Sequence, residues 1–548
     1  MAVMPGCRGP GSAKPHNSLV PVPSAVPVSF ESVGRKSGLA FRWPALPQPL
    51  TILDAFGCGC GFLDYDGDGW QDVLLVAEPY PHLYRNLGAG RLVDVSAASG
   101  LAQHRGAWKG CAIGDYDGDG RLDLLLTGHQ CLALLRNTGA GKWQDRTAAA
   151  GLAARDNWSS GAGFMDLDGD GALDLVILNY VRYGPGDRKF CEPKPGIRAG
   201  CPPRYYLPQY PEVWRNQGNG RFRNVSAVCG MKDATGTAQV LAFADVDDNG
   251  TPDFYVGNDG VPADLMINEG KLHFHNAGIE SGVAYGTDGS ALAAMSADFA
   301  DFDRDGVLDL FVTGFSGEPA SLLRGLRGGV FEHAAKQVGL EESTRTALGF
   351  GAGWLDVDDD GWPDLSVANG HVYDRAPELY AGTTFRQPLM LFLNREGQSF
   401  RNVAPELGGA FTTPILGRGL AVGDIDNDGR MDLLVVDYGG EPLLLRNTTP
   451  RTNHWLTLDL RSPGKNRFAY GARVEARAGS RTWVAQVSPA SSYLSSGDPR
   501  VHLGLGGSTR LDSLRVRWPS GRLQVLPELP VDRVVRIEEP AGHPRGVR

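Results

Sequence analysis

The chain has 548 residues, including 74 glycines and 36 prolines, and its formal net charge is −10. Glycine at about twice its average frequency argues against long helices and favours many short strands joined by turns. The hydrophobic fraction of 42% is enough for a large core. No apolar run approaches the length of a membrane-spanning helix, which excludes a helical membrane protein. No basic run or basic–aromatic stripe indicates nucleic-acid binding.

The first 27 residues are rich in proline, glycine, serine and alanine and have no hydrophobic periodicity. We therefore expect residues 1–27 to form a flexible leader. This segment lacks the apolar stretch of a secretory signal peptide, which leaves export of the chain open at this point.

One nine-residue phrase, Asp-x-Asp-x-Asp/Asn-Gly-x-x-Asp, occurs seven times. Its copies are separated by 51, 51, 79, 56, 55 and 68 residues and start at Asp64, Asp115, Asp166, Asp245, Asp301, Asp356 and Asp424. A period near 51 indicates one repeated structural unit, with insertions in the third and sixth copies.

Each unit contains four short strand patterns. A run of small and apolar residues precedes the acidic phrase, an apolar strand follows it, an apolar-Arg-Asn phrase such as Leu83–Asn86 comes next, and a short strand ends the unit. Seven such units predict an all-β fold with a seven-bladed β-propeller over residues 28–450. The strand type that ends each unit also occurs at Phe30, before the first unit, and is missing after Asn447. We therefore predict that the N-terminal strand completes the seventh blade; a solenoid of seven independent calcium repeats is the alternative.

The acidic phrase has the chemistry of a cation-binding loop. Carboxylates at positions 1, 3, 5 and 9 and a main-chain carbonyl at position 7 suit a hard cation with six to eight oxygen ligands, and Ca²⁺ fits better than Mg²⁺. Glycine at position 6 permits a sharp turn. The predicted ligands of up to seven Ca²⁺ ions are Asp64, Asp66, Asp68, Trp70 and Asp72; Asp115, Asp117, Asp119, Arg121 and Asp123; Asp166, Asp168, Asp170, Ala172 and Asp174; Asp245, Asp247, Asn249, Thr251 and Asp253; Asp301, Asp303, Asp305, Val307 and Asp309; Asp356, Asp358, Asp360, Trp362 and Asp364; and Asp424, Asp426, Asp428, Arg430 and Asp432.

Polar hairpin turns without metal are the other interpretation, but seven acidic copies disfavour it because clustered carboxylates repel one another. Residues 451–548 carry 16 basic and 8 acidic residues, so the rest of the chain has a charge of −18. Seven Ca²⁺ ions would reduce that charge to about −4. We expect the metal to stabilise the fold rather than to catalyse. Weak sites need roughly 10⁻⁴–10⁻³ M Ca²⁺, which favours an extracellular or periplasmic location.

The acidic units resemble FG-GAP/VCBS repeats of integrin-α-type propellers. The segments 245–253, 256–259 and 367–372 resemble more closely the family that includes cartilage acidic protein. Near the C-terminus, Asn453–Leu456, Gly471–Val474, Tyr493–Ser495, His502–Gly506 and Trp518–Gly521 are similar to the ASPIC/UnbV domain. The resemblance implies an exported calcium-binding protein whose molecular activity is largely unassigned.

The C-terminal region alternates apolar and polar residues in several short runs. This pattern predicts a small antiparallel β-sandwich-like domain over residues 451–540, followed by a tail at 541–548. Its charge of +8 allows two uses. The domain either docks on the acidic propeller or binds an anionic glycan.

Two of the eight cysteines, Cys191 and Cys201, lie in the insertion of the third unit. A disulfide between them would pin a loop that we expect to have no regular structure. Cys60 and Cys111 stand at equivalent positions of neighbouring units, where small buried thiols are more plausible than a pair or a metal site.

No catalytic motif of the HExxH, GxSxG, GxGxxG or GxxxxGK type is present. His371 and Tyr373 begin the insertion of the sixth unit and are candidate ligand contacts, although a loop-anchoring role for His371 is equally open. The favoured function is an exported, monomeric binding or adhesion scaffold for a protein or glycan. The alternative is a calcium-stabilised polysaccharide lyase or hydrolase, with an acid/base cluster among His371, Tyr373, Arg204, Tyr205 and Tyr206 at the mouth of the ring.

Overall fold

The computed structural model describes residues 28–152, 156–184 and 186–541. The predicted leader and all but the first residue of the predicted tail lie outside these ranges. Within them the protein is almost entirely β-structure, because the short apolar runs are separated by glycine-rich turns that interrupt any helical period. None of the helices in these described ranges is long and apolar enough to cross a bilayer.

Seven four-stranded antiparallel sheets account for residues 30–447. Blade 1 contains β2 (Cys60–Leu63), β3 (Asp72–Leu75), β4 (His82–Asn86) and β5 (Leu92–Asp94); blade 2 contains β6 (Ala107–Gly114), β7 (Asp123–His129), β8 (Cys131–Asn137) and β9 (Trp143–Asp145); blade 3 contains β10 (Ser159–Met165), β11 (Asp174–Asn179), β14 (Glu212–Asn216) and β15 (Phe222–Asn224); blade 4 contains β16 (Ala238–Ala244), β17 (Asp253–Asn258), β18 (Asp264–Asn268) and β19 (Phe274–Asn276). Blade 5 contains β20 (Ala297–Ala300), β21 (Asp309–Val312), β22 (Ser321–Leu326) and β23 (Val330–His333); blade 6 contains β24 (Gly349–Leu355), β25 (Asp364–Asn369), β26 (Met390–Arg395) and β27 (Ser399–Asn402); blade 7 contains β28 (Gly417–Gly423), β29 (Asp432–Asp437), β30 (Leu443–Asn447) and β1 (Phe30–Ser32).

The blades close into a ring. The first strand of each blade contacts the first strand of the next, and β28 of blade 7 returns to β2 of blade 1. In blade 7 the outer strand comes from the N-terminal side of the chain: β1 pairs antiparallel with β30, with Phe30 opposite Asn447 and Ser32 opposite Leu445. The seven-bladed propeller and its closure by the N-terminal strand are confirmed.

The helices are short and lie in the connections. They are α1 (Gly34–Ser37), α2 (Ile52–Phe56), α3 (Ser96–Ser99), α4 (Leu340–Thr344), α5 (Ala376–Leu379) and α6 (Ala404–Leu407), with 3₁₀ turns at Leu101–Gln103, Pro203–Tyr205, Met231–Asp233 and Gly409–Phe411. The insertion of blade 3 is more regular than we expected, since it contains a hairpin of β12 (Phe190–Lys194) and β13 (Ile197–Gly200).

The C-terminal region forms two further sheets. One has the strand order β34 (Val501–Gly506), β31 (His454–Arg461), β37 (Arg533–Glu538), and the other the order β33 (Arg481–Gln486), β32 (Arg473–Ala478), β35 (Arg510–Arg517), β36 (Leu523–Pro530). The pairing is not antiparallel throughout, because β31 and β37 run parallel, with Leu456 opposite Arg533. Alternation of apolar residues predicts that strands form, but it carries no information about the direction in which they pair.

These C-terminal sheets cover the propeller face that carries the acidic loops. Arg517 pairs with Asp245 at 2.5 Å, and the Arg473 guanidinium donates to the Gly306 carbonyl at 2.7 Å. His502 lies 2.9 Å from Asp359. Of the two uses considered for the positive charge of this region, the structure contains the intramolecular one.

A C-terminal segment, residues 488–498, enters the central channel of the ring. Cys111 donates its main-chain N–H to the Leu494 carbonyl at 3.1 Å, Phe62 donates to the Ser496 carbonyl at 3.1 Å, and Ser492 donates to the Ala297 carbonyl at 3.2 Å. These partners belong to the innermost strands of blades 2, 1 and 5. The segment therefore fills the channel and fastens the C-terminal sheets to the propeller.

Candidate functional site

The acidic phrases form loops between the first and second strands of their blades. In blades 1 to 5, carboxylate oxygens from positions 1, 3 and 9 lie within 4.8 Å of one another, as in the group Asp64, Asp66 and Asp72; two further groups of this kind occur in the described residues. Several clusters of acidic oxygens in the protein are thus spaced to share a cation.

Local backbone geometry explains why the phrase folds this way. All seven glycines at position 6 are left-handed, with φ between 85° and 91°, as in Gly69 and Gly250. The position 1 carboxylate accepts hydrogen bonds across the loop, for example from Gly69 to Asp64 at 2.9 Å. The position 9 carboxylate accepts from the second residue of the loop and from the asparagine of the next strand, as in Tyr65 and Asn86 bonded to Asp72. The requirement for glycine at position 6 follows from this turn.

The predicted ligands at position 5 lie outside the groups of blades 1 to 5. Asp68, for example, accepts a hydrogen bond from the main chain of Trp70 at 3.0 Å, and Asp170 accepts one from Ala172 at 2.9 Å. The position 5 and 7 assignments remain predictions.

Two observations fit a cation at these loops. Oδ1 of Asp245, Oδ1 of Asp301 and Oδ1 of Asp426 are buried and accept no hydrogen bond from the described residues. Burial also raises the pKa of the position 9 carboxyls, to about 8 for Asp72 and about 9 for Asp123, because the charged form is poorly solvated there. A divalent cation would stabilise the ionised form of each cluster.

Sequence reasoning missed the role of two recurring positions, an arginine and an asparagine, that contact these loops. The arginine of the apolar-Arg-Asn phrase pairs with the position 3 carboxylate, for example Arg215 with Asp168 at 2.6 Å. The neighbouring asparagine donates to a carbonyl in the acidic loop of the adjacent blade, as from Asn216 to Tyr116 at 2.8 Å. In blade 5 the asparagine position is occupied by Gly325. Arg-Asn follows the acidic loop in blades 1, 2, 3 and 7, and this repetition was the available signal.

A cavity of about 630 Å³ opens at the opposite end of the ring; we call it the mouth cavity. Loops joining the second and third strands of blades 3 to 6 form much of its wall. Its aromatic lining consists of Phe56, Tyr180, Tyr205, Tyr206, Phe315, Phe350, Tyr373, Tyr380 and Tyr493. Tyr493 is the tip of the C-terminal segment that fills the channel, and its hydroxyl donates to the Phe56 carbonyl at 2.8 Å.

The two large insertions meet at this cavity. Lys194 of blade 3 donates to the Glu378 carbonyl of blade 6 at 2.7 Å, and Arg375 donates to the Gly196 carbonyl at 3.0 Å. Cys191 and Cys201 form a disulfide with a Cα–Cα distance of 4.9 Å, which confirms that prediction. Cys60 and Cys111 are buried free thiols.

Three described carboxyl groups line the mouth cavity, those of Glu192, Asp259 and Glu318, and none of them was among the predicted site residues. Asp259 accepts from the Tyr180 hydroxyl at 2.5 Å and from the Gln239 amide at 2.7 Å, and Glu318 accepts from the main chain of Ala293 at 3.1 Å. Burial raises the pKa of Asp259 to about 6 and also raises the pKa of Glu318. Neither Asp259 nor Glu318 belongs to a repeated phrase, so repetition in the sequence gives no signal for them.

Comparison with known proteins identifies the repeated unit. The family model of the FG-GAP-like repeat matches residues 64–126, 115–177, 245–312 and 356–435, and the model of ASPIC and UnbV matches residues 462–544. The chain contains FG-GAP-like repeats and an ASPIC and UnbV domain. Cartilage acidic protein 1 of Xenopus tropicalis is 25% identical over 508 residues, which cover 85% of this chain and 70% of that protein. Cartilage acidic protein 1 of Homo sapiens is 24% identical over 505 residues, covering 85% and 69%.

Among solved structures, YCF48 bound to a D1 peptide superposes with a TM-score of 0.40 at 10% identity, covering 78% of this chain and 96% of that one. The homology to cartilage acidic protein 1 rests on the sequence matches.

The other predicted site residues separate into two sets. One set lines the mouth cavity, at the end of the ring where we expected it: Arg204, Tyr205, Tyr206 and Tyr373. His371 lies behind the wall with no exposed surface; its Nδ1 accepts from the main chain of Tyr373 at 3.0 Å. Burial lowers its pKa to about 3, so it is neutral and holds the loop.

Proposed function

We propose that the protein is an exported, calcium-binding β-propeller scaffold that holds a protein or glycan ligand at the mouth cavity. The observation that carries this proposal is the division of the ring into two faces. One face has acidic loops covered by the C-terminal sheets, and the other has an aromatic cavity built from the two insertions.

Calcium is the cation that the loops favour, because the ligands are carboxylate oxygens on short, glycine-turned loops. A site saturated at 100 times its dissociation constant stabilises the folded state by about 2.7 kcal/mol. Free calcium at the required level and an intact Cys191–Cys201 disulfide both favour a location outside the cytosol.

The binding role is tested on arrays of glycans and of extracellular proteins, probed in millimolar Ca²⁺ with the wild type and with Tyr373→Ala. Tyr373 lines the cavity, whereas Glu342, a surface residue with a 94% exposed side chain, supplies the control Glu342→Gln. We expect ligands that the wild type and the control bind and that Tyr373→Ala loses. The same set of ligands for all three proteins would contradict the proposal.

A second candidate is a polysaccharide lyase or hydrolase, and the pair Asp259 and Glu318 is the observation that favours it. A carboxyl group with a raised pKa beside a second carboxyl group is the equipment of an acid/base pair. Turnover of uronate-containing polysaccharides by the wild type, abolished in Asp259→Asn, would establish this activity in place of the scaffold role.

A further inference from the structure

The inner part of the mouth cavity offers hydrogen-bond acceptors that lack donors. Both hydrogen bonds to the Asp259 carboxylate end on Oδ2, and both to the Glu318 carboxylate end on Oε2. Among the described residues, Oδ1 of Asp259 and Oε1 of Glu318 receive no such bond. Asp259 forms an isolated antiparallel β-bridge with Ala293, and the main-chain N–H of Ala293 donates to Glu318. The two carboxyl groups are therefore neighbours.

A third acceptor lies beside them. Gln239 lines the cavity and is 4% exposed, and its Nε2 donates to Asp259 at 2.7 Å. The amide oxygen of the same side chain is buried and has no hydrogen-bond partner among the described residues. An unpaired buried amide oxygen is costly, so a donor on a ligand would relieve it.

The electrostatic balance of the lining favours a positive ligand. Among the described residues, the lining contains three carboxylates, Glu192, Asp259 and Glu318, and one cationic side chain, Arg204. Arg418 lies nearby, but its guanidinium stacks on Phe350 at 3.9 Å from the ring centroid and donates to the Ala55 carbonyl. Its donors are therefore occupied by the main chain.

The walls of the cavity suit a cation that carries an apolar stem. Tyr180, Tyr373, Tyr380 and Phe315 line the cavity with aromatic surface. Aromatic faces attract cations, and desolvation strengthens that attraction. A neutral sugar brings acceptors as well as donors, whereas the inner site has a surplus of acceptors. A primary ammonium group supplies three donors and one positive charge.

We propose that the mouth cavity binds a primary alkylammonium group, held by Asp259, Glu318 and the Gln239 amide oxygen against the tyrosine wall. The proposal rests on the binding role of the cavity and specifies the chemical class of its ligand. Two sources share this chemistry, a small free amine and the lysine side chain of a protein.

The test is calorimetric titration of the full chain at pH 8 in saturating Ca²⁺ with four compounds: n-butylamine, Nα-acetyl-lysinamide, the Nε-acetylated form of the latter, and glucose. We expect the two amines to bind at least tenfold more tightly than the acetylated compound, which has the same stem without the charge. Tighter binding of Nα-acetyl-lysinamide than of n-butylamine indicates a protein lysine as the source of the ammonium group. Equal affinities of these two amines indicate a small free amine. Equal affinity for the acetylated compound, or tighter binding of neutral glucose than of either amine, would overturn the proposal.

Variants locate the site. Asp259→Asn and Glu318→Gln should each weaken amine binding at least tenfold, and the surface control Glu342→Gln should leave it unchanged. Calcium stoichiometry and melting temperature of each variant report on folding. If a cavity variant unfolds, the comparison of amine and acetylated compound on the wild type still decides the proposal. Amine selectivity that survives both variants would overturn the assignment. A wild-type protein that does not bind calcium would instead contradict the scaffold role.

Discussion

Closure of the ring by β1 has a measurable energetic consequence. Deleting residues 1–40 removes the strand that pairs with β30 and three buried apolar side chains, Val28, Val33 and Leu39, which are 3%, 7% and 2% exposed. Burial of one such side chain contributes about 1.5–3 kcal/mol, so the three together contribute roughly 4.5–9 kcal/mol. This loss approaches the whole stability of a typical domain, about 5–15 kcal/mol.

The assay compares two truncations, one lacking residues 1–27 and one lacking residues 1–40, in saturating Ca²⁺. The first retains every residue of β1, so its melting temperature and soluble yield should match those of the full chain. The second should melt at a much lower temperature or fail to accumulate. As a pair of point variants, Val33→Asp should reproduce part of this loss, and Lys36→Ala, with a 74% exposed side chain, should leave the melting temperature unchanged. Equal stability of the two truncations would refute the closure argument.

Three other outcomes are expected. Asp168→Ala should remove one calcium from the titrated total and lower the melting temperature modestly; an unchanged count would contradict the ligand assignment. Burial raises the pKa of Asp123 and Asp309 to about 9 without metal, above the unfolded value, so the metal-free protein loses stability as the pH rises towards 9. The calcium-dependent gain in melting temperature should therefore be larger at pH 8 than at pH 6, and an equal gain would contradict this reasoning. Tyr493→Phe should cost about 1–3 kcal/mol of unfolding free energy, since it leaves the Phe56 carbonyl unpaired, and Tyr493→Ala should cost more; differential calorimetry measures both, and wild-type stability in both would contradict the anchoring role.

Repetition made most of the fold predictable from the sequence. The acidic phrase gave the number of blades, and glycine at position 6 marked a turn that is left-handed in every copy. The missing strand after Asn447 and its match at Phe30 predicted the closure. These signals are local or repeated, so a single sequence contains them.

The unpredicted features depend on contacts between distant parts of the chain. Tyr493 reaches the cavity only because residues 488–498 pass through the channel, and no local pattern encodes that path. Asp259 of blade 4 and Glu318 of blade 5 come together at the cavity, and neither belongs to a repeated phrase. The parallel pairing of β31 and β37 was missed for the same reason, since alternation specifies faces and not partners.

We propose that the acidic loops hold calcium and that this calcium stabilises the propeller. Equilibrium titration of the chelated, full-length protein with Ca²⁺, followed together with the melting temperature, tests it most directly. We predict several bound ions, up to seven per chain, and a melting temperature that rises with occupancy and falls steeply in EDTA. A protein that binds no Ca²⁺ at millimolar concentration and melts at the same temperature in EDTA would contradict the claim.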